Sequence, residues 1–186
     1  MLVDGLLEDY YLGYCTALNH WHMTEQIPRT AFIAITTRRR DFVYDGVVPI
    51  HFITIKPYKY FGWTTGEIGR HRLRVSDPEK TVIDSFDLPQ YAGGVVEAAK
   101  ALSYDLDWFK IIEYSNRQGN RTVLKRLGYL IELLEIDVSD DVLKQLRSGI
   151  SRGYSWLDPT APHEVLKHNS SWNLKINIPS EILRGI

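Results

Sequence analysis

The stretch HRLRVSDPEKTVIDSF, residues 71–86, passes from one kind of secondary structure into another. Its first part alternates polar and apolar side chains through His71, Arg72, Leu73, Arg74 and Val75, the pattern of a strand with one wet face. Asp77 then predicts a helix N-cap, because a short carboxylate there accepts hydrogen bonds from amides that have no partner inside the helix. Pro78 suits the first helical position, where no amide proton is needed, and Glu79 sits in the first turn, where the helix dipole favours an anion. Thr81 to Phe86 continue that helix.

On the N-terminal side, Tyr10, Tyr14, Ala17 and Trp21 recur at spacings of three or four, which predicts a helix over Asp9 to Thr24, ended before Pro28. Ala31 to Thr36 and Val47 to Ile55 are short runs rich in β-branched residues and read as strands, with Asp45-Gly46 as a turn between them. Tyr60 to Ser76 alternates loosely around Gly62, Gly66 and Gly69. On the C-terminal side, helices are expected from Gly93-Gly94 through Leu102, over Leu106 to Tyr114, over Thr122 to Leu134 and, briefly, over Val142 to Leu146. In the third of these Val123, Leu127, Leu130, Ile131 and Leu134 form one apolar stripe, expected to be core. Gly153 to Pro162 reads as an aromatic loop and Trp172 to Ile178 as a late strand.

Strands come early and helices follow as a block, which predicts an α+β fold, a small mixed sheet packed with C-terminal helices. There is no internal repeat, low-complexity stretch or clear linker, so residues 1–186 read as a single domain. A chain of 186 residues with 44% hydrophobic and 24% charged residues builds a real core and is not mostly disordered. No apolar run approaches the ~20 residues of a membrane span, and Asp4, Glu8 and Asp9 are the wrong charge for a signal peptide. A cytoplasmic protein without membrane contact is expected. The single cysteine, Cys15, excludes an internal disulfide and is expected to pack in a helix.

The common phosphate cradles and the nucleophile elbow are absent, and the glycines from Gly62 to Gly69 read as a turn or bulge. His20 and His22, two apart on a helix, point to different sides and do not share a metal. Asp77, Glu79, Lys80 and Asp84 suggest one enzymatic alternative, a divalent-metal nuclease holding its ion at a sheet edge. The competing reading is that the same residues make a well-capped helix start. No cofactor or metal is expected on balance.

The formal charge of the chain is −1, yet between Arg38 and Arg74 eight arginines and lysines face three carboxylates. If Arg70, Arg72 and Arg74 share a strand, their spacing of two puts them on one face. With Arg38, Arg39 and Arg40 at a neighbouring strand end, that face suits phosphates or an acidic partner; the bland alternative is an edge strand kept soluble by charge. Arg121 and Lys125, with Arg126 beside them, lie where a helix dipole disfavours cations, which marks Arg121 and Lys125 as further binding candidates, although such charges usually form a wet face.

Three segments carry a family resemblance: TALNHWHMTEQIP (residues 16–28), RVSDPEKTVIDSFDLPQYAGG (74–94) and NRTVLKRLGYLIELL (120–134). In this order and spacing they resemble the antitoxin and regulator domain of the AbiEi family, over roughly Tyr11 to Leu134. The resemblance implies an α+β domain without catalytic residues. It further implies an antitoxin and transcriptional regulator, acting in abortive infection with a nucleotidyltransferase toxin, and operator DNA as a partner. Members of that family usually carry an N-terminal winged helix-turn-helix, for which the short stretch before Asp9 leaves no room. Sequence-specific DNA binding is therefore expected to be weak or indirect, and a direct complex with the toxin is not required.

Overall fold

In the computed structural model, residues 8–68 and 71–186 are described. Six strands form the main sheet: β1 (Tyr10–Leu12), β2 (Ala31–Ile35), β3 (Phe42–Tyr44), β4 (Val48–Thr54), β5 (Trp63–Ile68) and β6 (His71–Ser76), in the order β3-β4-β2-β1-β6-β5. The sheet is mixed. β1 runs parallel to β6 and β2 to β4, while the remaining pairs are antiparallel. Six helices belong to the body: α1 (Tyr14–His20), α2 (Pro78–Asp87), α3 (Gly94–Lys100), α4 (Trp108–Gln118), α5 (Arg121–Leu133) and α6 (Asp140–Gly149). The C-terminal part adds a three-stranded sheet of β7 (Ser155–Trp156), β8 (Lys167–Asn169) and β9 (Leu174–Ile176), in the order β7-β9-β8, and a short α7 (Ser180–Arg184). This is the α+β class that the order of elements predicts. Among the described residues no helix is long and apolar enough to cross a membrane.

The expected helix from Asp9 is corrected at its start. Tyr10, Tyr11 and Leu12 are a central strand, hydrogen-bonded to β2 on one edge and lying beside β6 on the other, and all three are buried. Tyr10 and Leu12 join Ile33, Ile35 and Val75 on one face, and Tyr11 joins Ala34 and Ile53 on the other. A strand covered on both faces has no polar alternation, so periodicity alone does not separate it from a buried helix. Gly13, in extended conformation, ends the strand, and α1 begins at Tyr14, with Cys15 buried inside it.

Local chemistry set several boundaries as expected. Asp77 caps α2, its Oδ1 accepting the Lys80 amide at 2.8 Å, with Pro78 at the first helical position. A cap of this kind contributes on the order of 1 kcal/mol. Asp45 and Gly46 both take the left-handed conformation, φ 50° and 68°, which closes a tight hairpin between β3 and β4. In α5, Val123, Leu127, Leu130 and Ile131 are buried, while Leu134, just past the helix end, is partly covered.

One core runs from Leu18 to Leu183. At its centre α2 packs against α1, α3, α4 and α5, and Glu79 through Asp87 are all buried. A helix covered on every side should be apolar all round, yet this one carries Lys80, Asp84 and Asp87. Lys80 Nζ donates to Asp84 Oδ1 and to Gln118 Oε1 (3.2 Å), and Asp84 Oδ2 accepts the Tyr11 hydroxyl at 2.8 Å. Gln118 Nε2 donates to Asp84 and Asp87 at 3.1 and 2.7 Å, and Asn120 Nδ2 and Lys59 Nζ both reach Asp87 at 2.6 Å. Burial lowers the pKa of Lys80 and raises that of Asp84, and the attraction between the two opposes both shifts. The network ties β1, α2, α4 and the chain ahead of β5 together through groups that all have partners.

Candidate nucleic-acid interface

Arg38, Arg39 and Arg40 follow β2 in the loop that leads to β3, and all three are exposed. With Asp41, His51 and Thr54 they line a concavity of about 710 Å³. A second concavity, about 490 Å³, lies alongside and shares Asp41 and His51; Phe32, Phe42, Val43, Pro49 and Tyr91 line the rest. Phe32 and His51 sit side by side because β2 and β4 pair in that register. Their rings lie 5.8 Å apart, and Tyr91 is within 5.8 Å of Phe32 and 5.4 Å of His51.

Asp41 joins the two hollows. Its Oδ1 accepts the Phe52 amide at 2.9 Å and its Oδ2 lies 2.6 Å from His51 Nδ1. The Phe52 amide bond, aided by His51, holds the Asp41 carboxyl below its ordinary pKa. The carboxylate thereby fixes the imidazole ring over the aromatic shelf, with the arginine loop beside it. Exposed guanidinium groups of this kind suit a ligand that carries phosphates.

The other arginines are arranged differently. Arg70 lies outside the described residues. Arg72 is exposed on β6 and pairs across the strands with Glu67 of β5. Arg74 is engaged locally: it donates to the Tyr60 hydroxyl at 2.7 Å and to the Glu8 carbonyl, and its guanidinium covers the Trp63 ring at 4.6 Å. The strand register puts Arg72 and the 38–40 loop at the same end of the sheet, but the loop turns out over the end of β4, away from β6. Arg72 and Arg74 therefore lie apart from the exposed Arg38 to Arg40 loop.

Lys125 needs correction as a binding candidate. Lys125 is 1% exposed and donates to the Gly153 carbonyl at 2.7 Å, whereas Arg121 stays exposed while donating to the Gly149 carbonyl at 2.7 Å. Arg126, beside Lys125, is also buried and binds the carbonyls of Phe86, Trp156 and Leu157. Burial pushes its pKa down to about 10, which leaves it a cation at neutral pH. These side chains satisfy the backbone of residues 149–157, which lies over the side of α5 opposite its apolar stripe.

Of the residues of the nuclease alternative, Asp77 and Glu79 both converge on Lys110 Nζ, at 3.1 and 2.7 Å, while Lys80 and Asp84 pair in the interior. Asp77 also caps α2 and accepts the Tyr114 hydroxyl at 3.0 Å. Burial works against the charge of Lys110, but Glu79 and Asp77 outweigh it and raise its pKa. No cluster of three His, Cys, Asp or Glu side chains fit to hold a metal occurs among the described residues.

Sequence reasoning missed Asp41, His51, Phe32 and Tyr91. They converge only through the parallel pairing of β2 with β4 and the docking of the single turn at Pro89–Tyr91. Asp41 directly after three arginines was the only local signal.

No protein-family model and no curated protein matches the chain. Among solved structures it is similar to the Rv2827c protein of Mycobacterium tuberculosis, with a TM-score of 0.64 and 12% sequence identity over 95% of this chain. The match spans 65% of that neighbour's length. Identity this low shows a shared α+β fold and nothing further.

Proposed function

We propose that this chain is a nonenzymatic antitoxin and transcriptional-regulator domain of the AbiEi type, one that counteracts a nucleotidyltransferase toxin and supports control of its own operon. The AbiEi-like segments between Tyr11 and Leu134 motivate the antitoxin role. The observation that carries the nucleic-acid role is the exposed Arg38–Arg40 loop beside the Asp41–His51 pair and the shelf of Phe32 and Tyr91. Operator DNA is the partner that such a loop suits, through phosphate contacts that carry no sequence information of their own. The toxin is a functional partner and need not form a stable complex.

Duplex binding measured across a salt series tests the loop. Affinity should fall with salt at a log-log slope near −0.9 per phosphate contacted, and Arg38→Ala/Arg39→Ala/Arg40→Ala should flatten that slope and weaken all sequences alike. Binding by the triple variant that matches wild type at every salt concentration would remove the loop from this role.

A further inference from the structure

The three-stranded C-terminal sheet turns Leu174 and Ile176 into the core and an unusual row of side chains outward. Trp156, Lys175 and His168 lie directly opposite one another on β7, β9 and β8. Tyr154, two residues before Trp156, meets His168 edge-on at 5.1 Å and is 46% exposed. The His163 ring lies flat on Trp156, centroids 4.5 Å apart and planes within 8°, and His163 is itself exposed. Lys175 Nζ stands 5.1 Å from the centre of the Trp156 ring. Arg152, ahead of β7, adds an exposed cation, whereas Lys167, next to His168 on β8, alternates to the side of Ile176; Glu164 is the one exposed carboxylate in the same stretch, since Asp158 is buried against the Val95 amide and Thr160.

We propose that this face binds single-stranded nucleic acid, with a base continuing the Trp156–His163 stack while Lys175 and Arg152 meet the phosphates. The chemistry is specific in two ways. A ring already held parallel to a tryptophan is ordered before the base arrives, so stacking requires little further loss of freedom. Cations interleaved with exposed aromatic rings complement a chain that alternates negative phosphates with flat bases. A duplex hides its base faces and gains only the phosphate contacts. The site is separate from the Arg38–Arg40 loop and does not depend on it.

Fluorescence anisotropy with labelled single strands, RNA and DNA of one sequence, tests this on the whole chain. An abasic strand of equal charge and a duplex serve as competitors. Binding of either single strand should exceed that of the abasic strand, and both His163→Ala and Trp156→Ala should weaken it about 5- to 150-fold, the range for one lost stacking contact. His163→Ala alters only an exposed ring, so it keeps the test sound if Trp156→Ala disturbs folding. Arg38→Ala/Arg39→Ala/Arg40→Ala should leave this single-strand affinity within about twofold, as expected of a site that shares no residue with the loop. Loss of duplex binding with single-strand binding retained would therefore concern the loop alone. Single-strand binding that is absent, that the abasic strand matches, or that survives His163→Ala unchanged overturns the proposal, as does selective capture of acidic peptides in its place.

Discussion

Lys80→Met should destabilise the chain by roughly 3 to 5 kcal/mol in urea unfolding at neutral pH, because it leaves the Asp84 carboxylate in the interior without its cation. Lys80 and Asp84 are 0% and 1% exposed, so water does not replace the lost partner. Asp84→Leu should be comparably costly, stranding an ammonium between Gln118 and the Phe61 and Tyr11 rings. The double variant Lys80→Met/Asp84→Leu should cost clearly less than the sum of the singles, since removing both charges together removes the uncompensated one. The Tyr11 hydroxyl and Gln118 would still lose partners, so recovery should be incomplete. Strictly additive effects, or a loss below about 1 kcal/mol for Lys80→Met, would mean that the pair is solvated rather than enclosed.

The second large effect is expected where α5 meets Trp172. That indole is fully buried, its Nε1 donates to Glu132 at 2.7 Å, and Arg147 stands over its ring at 4.9 Å. It lies so close to Gly128 that a methyl group there would overlap the six-membered ring. Trp172→Ala should cost about 3 to 5 kcal/mol from the cavity it leaves. Gly128→Ala should cost about 1 to 3 kcal/mol even though alanine is the better helix former, because the ring must move out of a packed core. Thermal melts of the two variants and their combination check this. The combination should fall short of the sum, since the cavity at 172 accommodates the new methyl. A stabilised Gly128→Ala chain would contradict such a close contact.

What was legible in the sequence is local. Asp77 with Pro78, Asp45 with Gly46, and the Val123 to Ile131 stripe each depend on residues within one or two turns of chain, and each is present in the structure. The illegible parts are those set by distant neighbours. β1 looked helical because both its faces and both its edges are occupied by segments far along the chain. Lys125 and Arg126 looked solvated because they lie opposite an apolar stripe, but α5 is covered on that side too, by residues 149–157. The same limit applied to the site. The arginines at 38–40 stood out, whereas Asp41 and His51 become a pair only once β4 lies parallel to β2.

The central claim is that this chain acts as an antitoxin through a surface and not as an enzyme through Asp77, Glu79 and Lys80. Growth rescue tests it most directly: the chain is co-expressed with a nucleotidyltransferase toxin of the abortive-infection type, wild type against Arg38→Ala/Arg39→Ala/Arg40→Ala and Asp77→Ala, with protein levels monitored. The account predicts that the wild type restores growth and that Asp77→Ala, if it remains folded, restores it equally. Failure of a folded, well-expressed wild type to restore growth, or metal-dependent cleavage of DNA or RNA that Asp77→Ala abolishes without unfolding, would contradict it.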